Sequence, residues 1–202
     1  CIDLGAKRND IVDSAVGLQI KYRLEIQSVS IKSLIGTLCD IAERERDTIM
    51  IGRTHGQAAV PITFGLKVAV WVDEFRRHLE RLVSMRPRIT AGKFLGAVGT
   101  GAAQGEDALE LQSLILQELG LEVPVATTQV VGRDRYIEWV GWMANVSTSI
   151  EKVLQEVRNL QRSEIAEVAE AFDVEKQVGS STMAHKRNPI TAENACGLAR
   201  IV

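Results

Sequence analysis

Three short segments combine polar side chains with glycine or proline outside any helical pattern: residues 5–10, 52–57 and 179–189. The last is the sharpest. It contains Gly179, Ser180, Ser181, Thr182, Met183, Ala184, His185, Lys186, Arg187, Asn188 and Pro189. Two serines follow a glycine, and three potential cations stand in a row. A loop of this kind can close over an anionic substrate, because its charge is complementary and loops move. A solvent-exposed basic connection between helices would give the same composition. There is no GxSxG elbow, which speaks against an ordinary hydrolase serine. A serine here would act as a base only if cations and N–H donors strongly lowered its pKa.

His55 lies among Arg53, Thr54, Gly56 and Gln57. Histidine can give or take a proton near neutrality, so His55 is a candidate acid or base, with a structural role as the alternative. His78, between Arg77 and Glu80 on a helical pattern, is expected at the surface. Arg133 is either part of an ion-rich helix start or an anion contact near Gln129. A metal centre is not expected: no HxxxH, HExxH or CxxC spacing occurs, and the three histidines are scattered. The glycines between 96 and 105 lack the lysine and strand context of a phosphate loop. They are read as tight turns or close backbone approaches.

These segments need elements to position them. Residues 9–46 carry one long helical pattern, with Ile11, Ala15, Leu18, Tyr22, Ile26, Val29, Leu34, Leu38 and Ile41 as its apolar stripe. Unbroken, it would run over roughly 50 Å. Asn9 or Asp10 is the expected cap, with Asp13 near the favourable N-terminal end. Gly52, Gly56 and Pro61 break the period. A second helix is expected over 63–86, ended or bent by Pro87. A shorter one over 106–119 should cap at Gly120. A third long pattern covers 133–158, and 160–171 is expected to continue as helix after a bend or a short interruption. A last helix should start at Pro189 with Asn188 as cap. The sum is an all-α chain, an elongated helical bundle over residues 1–202. Helices of this length need partners along their whole span, which implies self-association.

Composition sets the bounds. Of 202 residues, 46% are apolar and 25% charged, ordinary for a globular protein. The formal net charge is -2 with no basic block, so nucleic-acid binding is not expected. Cys1, Cys39 and Cys196 give an odd count without metal spacing, which favours a reducing, cytoplasmic setting. No apolar run reaches membrane-spanning length. A start at Cys1 and a stop at Val202 inside an apolar pattern lead us to expect a piece of a longer protein.

The same three segments resemble the fumarase and aspartase superfamily, which includes argininosuccinate lyase and a carboxymuconate cycloisomerase branch. Residues 179–189 look like its signature loop. Residues 52–57, followed by Pro61 and Thr63, Phe64 and Gly65, look like the second shared region, and Asn9, Asp10 and Asp13 like the end of the first. GRTHG at 52–56, GAVGT at 96–100, TTQ at 127–129, SEI at 163–165 and HKRNP at 185–189 resemble the purine-biosynthetic branch. The cycloisomerase branch shares parts of the second region and is the rival likeness. A non-catalytic helical assembly module is the third reading.

The resemblance implies a central helical domain whose smaller N- and C-terminal domains are absent from this chain. It implies a homotetramer with each site drawn from three subunits. It also implies β-elimination of fumarate from an anionic small molecule, without cofactor or metal. It matches Ser180 to the base, with Ser181 as fallback, and His55 to the general acid. Lys186 and Asn188 match groups that hold the carboxylates, and Glu193 one that orients the histidine. Thr54, Gln129 and Met183 match substrate-binding positions. Two departures stand out. Asp3 replaces a histidine, and Lys7 and Arg8 replace a Thr–Ser pair, so two cations could take over part of a phosphate contact. Ala184 replaces a proline, which should loosen the loop.

Overall fold

The computed structural model describes residues 5–171, 182, 183 and 185–202. Asp3, Ser180, Ser181 and Ala184 lie outside the described residues. The elements in chain order are α1 (Arg8–Arg44), β1 (Ile49–Thr54), β2 (Gln57–Thr63), α2 (Phe64–Ile89), α3 (Ala108–Glu118), α4 (Asp134–Leu160) and α5 (Ile190–Ala199). The expected all-α class holds with one addition. The break over 51–62 is an antiparallel hairpin of β1 and β2.

The chain divides into two compact units. One comprises Cys1–Leu34 and Arg77–Trp142, the other Ile35–Arg76 and Met143–Val202. α1, α2 and α4 each contribute to both.

In the first unit, α1 buries Asp10, Asp13, Ser14, Ile20, Leu24 and Ile31, positions that share one helical face. The stripe expected from apolar period is the other one: Ile11, Leu18, Tyr22, Ile26 and Val29 are exposed. α1 is apolar on two faces, and the inward face begins with buried carboxylates, so hydrophobic period alone selects the wrong face over the first unit, whereas Leu38 of the same expected stripe is buried further along. α2 contributes His78, Leu82, Met85 and Ile89. His78 is only 1% exposed, against the surface position expected for it. Its spacing from Phe75 and Leu82 places it on the buried stripe, and its backbone carbonyl accepts the Trp142 indole N–H at 3.0 Å.

Pro87 lies inside α2 and neither ends nor replaces its last turn. A proline so near the end removes a single N–H, and nearby carbonyls find other donors. Ser84 O accepts from Arg88 at 2.8 Å, and Arg86 O accepts from both the amide and the hydroxyl of Thr90. α3 ends as expected: Gly120 N–H bonds Gln117 O and Leu121 N–H bonds Leu116 O, which closes a Schellman motif. Leu116 and Leu121 are both buried there.

In the second unit, Leu38, Met50, Val68, Trp71, Phe75, Leu160, Ala192 and Cys196 form the buried set. Polar ties join α2 to α4: Lys67 pairs with Glu156 at 2.5 Å, and Glu74 accepts from Ser149 at 2.6 Å and pairs with Lys152. The helix expected over 160–171 is not formed. After Leu160 the chain turns, with Ala166 at a positive φ of 53° and the amides of Glu167 and Val168 both returning to Leu160 O. The N-cap position of α5 is Pro189 rather than Asn188, and no side chain at that position caps the helix. The Glu170 carboxylate accepts from Thr191 N–H at 3.1 Å and Ala192 N–H at 2.6 Å in its place. Among the described residues, no helix is long and apolar enough to cross a membrane.

Candidate active site

The second unit holds two groups of candidate residues. The first is the hairpin tip. Thr54 pairs with Gln57, which leaves His55 and Gly56 as a two-residue turn with φ of 54° and 74°. Two positive φ values define the mirror-image turn whose twist suits a tight hairpin, and glycine there is free of Cβ strain. Histidine tolerates this conformation better than bulky or branched residues do. Thr54, His55 and Gln57 are all exposed.

Arg53, one residue before that tip, makes a two-pronged contact with Glu167 at 2.7 and 2.8 Å. Its hydrogen bonds hold the Glu167 carboxyl below the usual carboxylate range, and Glu167 in return raises Arg53. The contact ties the hairpin to the segment that follows α4.

That segment forms one wall of the second group, a cleft of ≈ 570 Å³. The last turns of α4, the stretch after it, residues 185–189 and Glu193 line the space. Arg158, Arg162, His185, Lys186 and Arg187 bring positive or potentially positive charge to it, against one acid, Glu193, among the described residues. Arg158 is engaged with Gln155 at 2.9 Å. The side chains of Arg162, His185 and Lys186 have no partner among the described residues. Such a surface suits a small anion, since cations without internal partners can be neutralised by a ligand. Lys186, Asn188 and Glu193 line this same space. Met183 is exposed, and its carbonyl accepts the Lys186 amide at 3.0 Å.

The remaining candidates sit in the first unit. Lys7 and Arg8 are exposed at the start of α1. Lys7 N–H donates to Asp10 Oδ2 at 2.6 Å, so Asp10 serves the first turn from inside the helix rather than as its cap. Asp10 Oδ1 pairs with Lys93 Nζ and also accepts Leu95 N–H at 3.2 Å; Lys93 Nζ donates to Gly96 O at 3.0 Å. Both side chains of this ion pair are 0% exposed. A buried pair is tolerable only when further hydrogen bonds offset the loss of water, as they do here.

Asp13 is likewise committed. It accepts Val131 N–H at 2.7 Å and Arg133 at 3.1 Å. Arg133 also donates to the Tyr136 hydroxyl at 3.1 Å and lies over its ring, 5.2 Å from the centroid. The ion-rich helix start is thus the reading that geometry favours for Arg133. Gln129 is exposed nearby in sequence. A Cβ on Gly99, whose φ is 81°, would overlap the Thr127 carbonyl, so glycine is needed where these two segments meet.

Sequence reasoning passed over Lys93, Glu167, Glu170, Arg158 and Arg162. Lys93 is the one charged residue in a run of small and apolar neighbours, a signal that could have been used. Arg158 and Arg162 stand four apart at the end of a helix, the spacing of one face. Among the described residues, no group of three His, Cys, Asp or Glu side chains is placed to hold a metal ion.

Comparison with known proteins gives this geometry a context. A family model described as "Lyase" matches residues 1–202. Adenylosuccinate lyase of Pyrococcus horikoshii is 51% identical over 201 residues, which is 100% of this chain and 44% of that protein. Among solved structures, fumarate lyase from Mesorhizobium sp. BNC1 superposes with a TM-score of 0.85 at 38% identity, covering 98% of this chain and 43% of its own. The 3-carboxy-cis,cis-muconate lactonizing enzyme from Pseudomonas putida gives 0.85 at 33% identity, covering 98% and 42%. The chain thus spans a little under half the length of the relatives it matches. With a family match along its whole length, the chain belongs to the lyase family of the fumarase and aspartase superfamily.

Proposed function

We propose that the natural protein carrying this chain cleaves adenylosuccinate to AMP and fumarate, and the related SAICAR to AICAR and fumarate, by β-elimination. The cleft carries this reading: Arg162 and Lys186, cations whose side chains have no partner among the described residues, stand beside His185 and suit a substrate rich in carboxylate and phosphate. The similarity to adenylosuccinate lyase of Pyrococcus horikoshii supports the choice of substrate.

The chemistry needs a base, an acid and a place for charge. The Ser180 side chain, or Ser181 in its stead, takes the proton from the carbon β to the departing nitrogen. The electron pair becomes the new C=C bond, the C–N bond breaks, and His55 protonates the leaving nitrogen. Lys186 and Asn188 hold the carboxylates while negative charge builds on one of them, where a fixed cation contributes most to the rate. Glu193 orients the histidine. Thr54, Gln129 and Met183 contact substrate. Lys7 and Arg8 take the phosphate side, with Arg133 able to add to them through the exposed half of its side chain.

We read the chain as the central helical domain of a longer protein, in keeping with relatives more than twice its length. Self-association into a homotetramer with shared sites follows the same reading. Exposed apolar residues on α1 (Tyr22, Val29) and α4 (Ile137) support it. A cytoplasmic setting fits Cys39 and Cys196, both free.

The test is fumarate release by the natural full-length protein from adenylosuccinate, with argininosuccinate and carboxymuconate in parallel. Release from adenylosuccinate alone is expected. Turnover of carboxymuconate instead would favour the cycloisomerase reading, which the likeness to the Pseudomonas putida lactonizing enzyme keeps in view. No turnover of any of them would favour a helical assembly module.

A further inference from the structure

The stretch that brings Lys186, Asn188 and Glu193 to the cleft is fastened by two side chains that do not themselves carry the chemistry. α5 has Pro189 at its N-cap position and no side-chain cap there. Its second and third amides, Thr191 and Ala192, are taken by the Glu170 carboxylate, from twenty residues or more away in sequence. Gln161 completes the arrangement. Its Oε1 accepts Glu170 N–H at 3.0 Å, and its Nε2 donates to Arg187 O at 3.3 Å. One short segment after α4 therefore grips both ends of the stretch, at Arg187 and at Thr191 with Ala192.

A serine or aspartate at position 189 would satisfy the same two amides locally. A remote carboxylate does that and also fixes where the helix start lies relative to α4. It places a negative charge close to a cleft that gathers cations, which would weaken anion binding if the charge were free. Here two N–H donors consume it. We infer that Gln161 and Glu170 are positioning residues for the anion-binding stretch. They set the backbone beneath Lys186, Asn188 and Glu193, Glu170 from outside the cleft lining and Gln161 from within it. This rests on the elimination reading for its kinetic part alone.

The experiment compares the natural full-length protein with Glu170→Ala, Gln161→Ala and the double variant Glu170→Ala/Pro189→Ser. It reads amide exchange at Thr191 and Ala192, the thermal midpoint, the fumarate dissociation constant, and kcat and KM with adenylosuccinate. Glu170→Ala should speed exchange at both amides about tenfold, the loss of one cap. It should weaken fumarate binding and lower kcat/KM roughly 10- to 100-fold, as expected for a displaced binding group. Gln161→Ala should shift the same quantities less. The double variant should regain exchange protection and thermal midpoint but not fumarate affinity. If it regains both, Glu170 is a helix cap and nothing more, and the inference is overturned. Unchanged exchange and affinity in Glu170→Ala would overturn it as well. A wild-type protein that binds fumarate but does not cleave adenylosuccinate would sink the elimination reading while the affinity comparison still decides this one. Failure to bind fumarate at all would sink both.

Discussion

The two units use their charges in opposite ways. Around the start of α1, Asp10, Asp13 and Lys93 are buried, and each has at least two partners. Around the end of α4, Arg162, His185 and Lys186 are exposed and have no side-chain partner among the described residues. The first set spends charge on fixing backbone: Asp10 and Lys93 together hold Lys7, Leu95 and Gly96 in place. The second leaves charge available to a ligand. Charge density alone does not separate a structural hub from a binding cleft; what separates them is whether the charges are already answered from within.

The most severe way to break the hub is to remove one partner of its buried pair. Lys93→Met should cost about 3–5 kcal/mol, because Asp10 is left buried and uncompensated. Denaturant unfolding measures this, and the double variant Asp10→Asn/Lys93→Met should recover a large part of the loss. If the single variant were as stable as wild type, the hub reading would fail.

On the functional side, Ser180→Ala and His55→Ala should each lower turnover at least about 10²-fold. His55 stands at a positive φ of 54°, where alanine is less well tolerated, so a thermal midpoint measured alongside separates lost stability from lost acid. A mild replacement with near-normal turnover would remove the residue from its assigned role.

The smallest effect concerns the ion pair between the two groups of the second unit. Glu167 is held below its ordinary value of 4.5, chiefly by the hydrogen bond from Arg53. A carboxyl depressed on folding contributes stability that is complete above the unfolded-state value and is lost as pH falls through the folded-state one. Stability should therefore decline on acidification below about 4.5, and Arg53→Met should flatten that part of the profile. Both groups are partly exposed, so the difference should be modest and weaken further with salt. Superimposable profiles for the two proteins would show that the pair adds nothing.

Much of this was legible before any coordinates. The three long helices and the Gly120 cap follow from period and punctuation, and Lys186, Asn188 and Glu193 lie within eight residues of one another in the sequence. The misses have physical causes. The hairpin escaped because Gly52 and Pro61 both disfavour strand, while the tight turn that makes pairing possible resides in His55 and Gly56. The inward face of α1 escaped because it opens with carboxylates that only tertiary partners can stabilise. His78 escaped because its neighbours Arg77 and Glu80 are polar, although its spacing from Phe75 and Leu82 carried the signal. The non-helical course after Leu160 depends on side chains acting at long range, Glu167 on Arg53 and Glu170 on α5, and such ties leave no local trace.

On the proposed reading, Lys186 and the other basic residues of the cleft receive the substrate. The decisive measurement is kcat/KM for adenylosuccinate in the natural full-length protein and its Lys186→Met variant, with thermal midpoints alongside. A loss of roughly 10²-fold or more is expected, the cost of removing a charge-stabilising donor, at an unchanged midpoint. A wild-type protein that releases fumarate and a variant that matches it within about twofold would overturn that reading, since that difference lies far below the effect of such a donor.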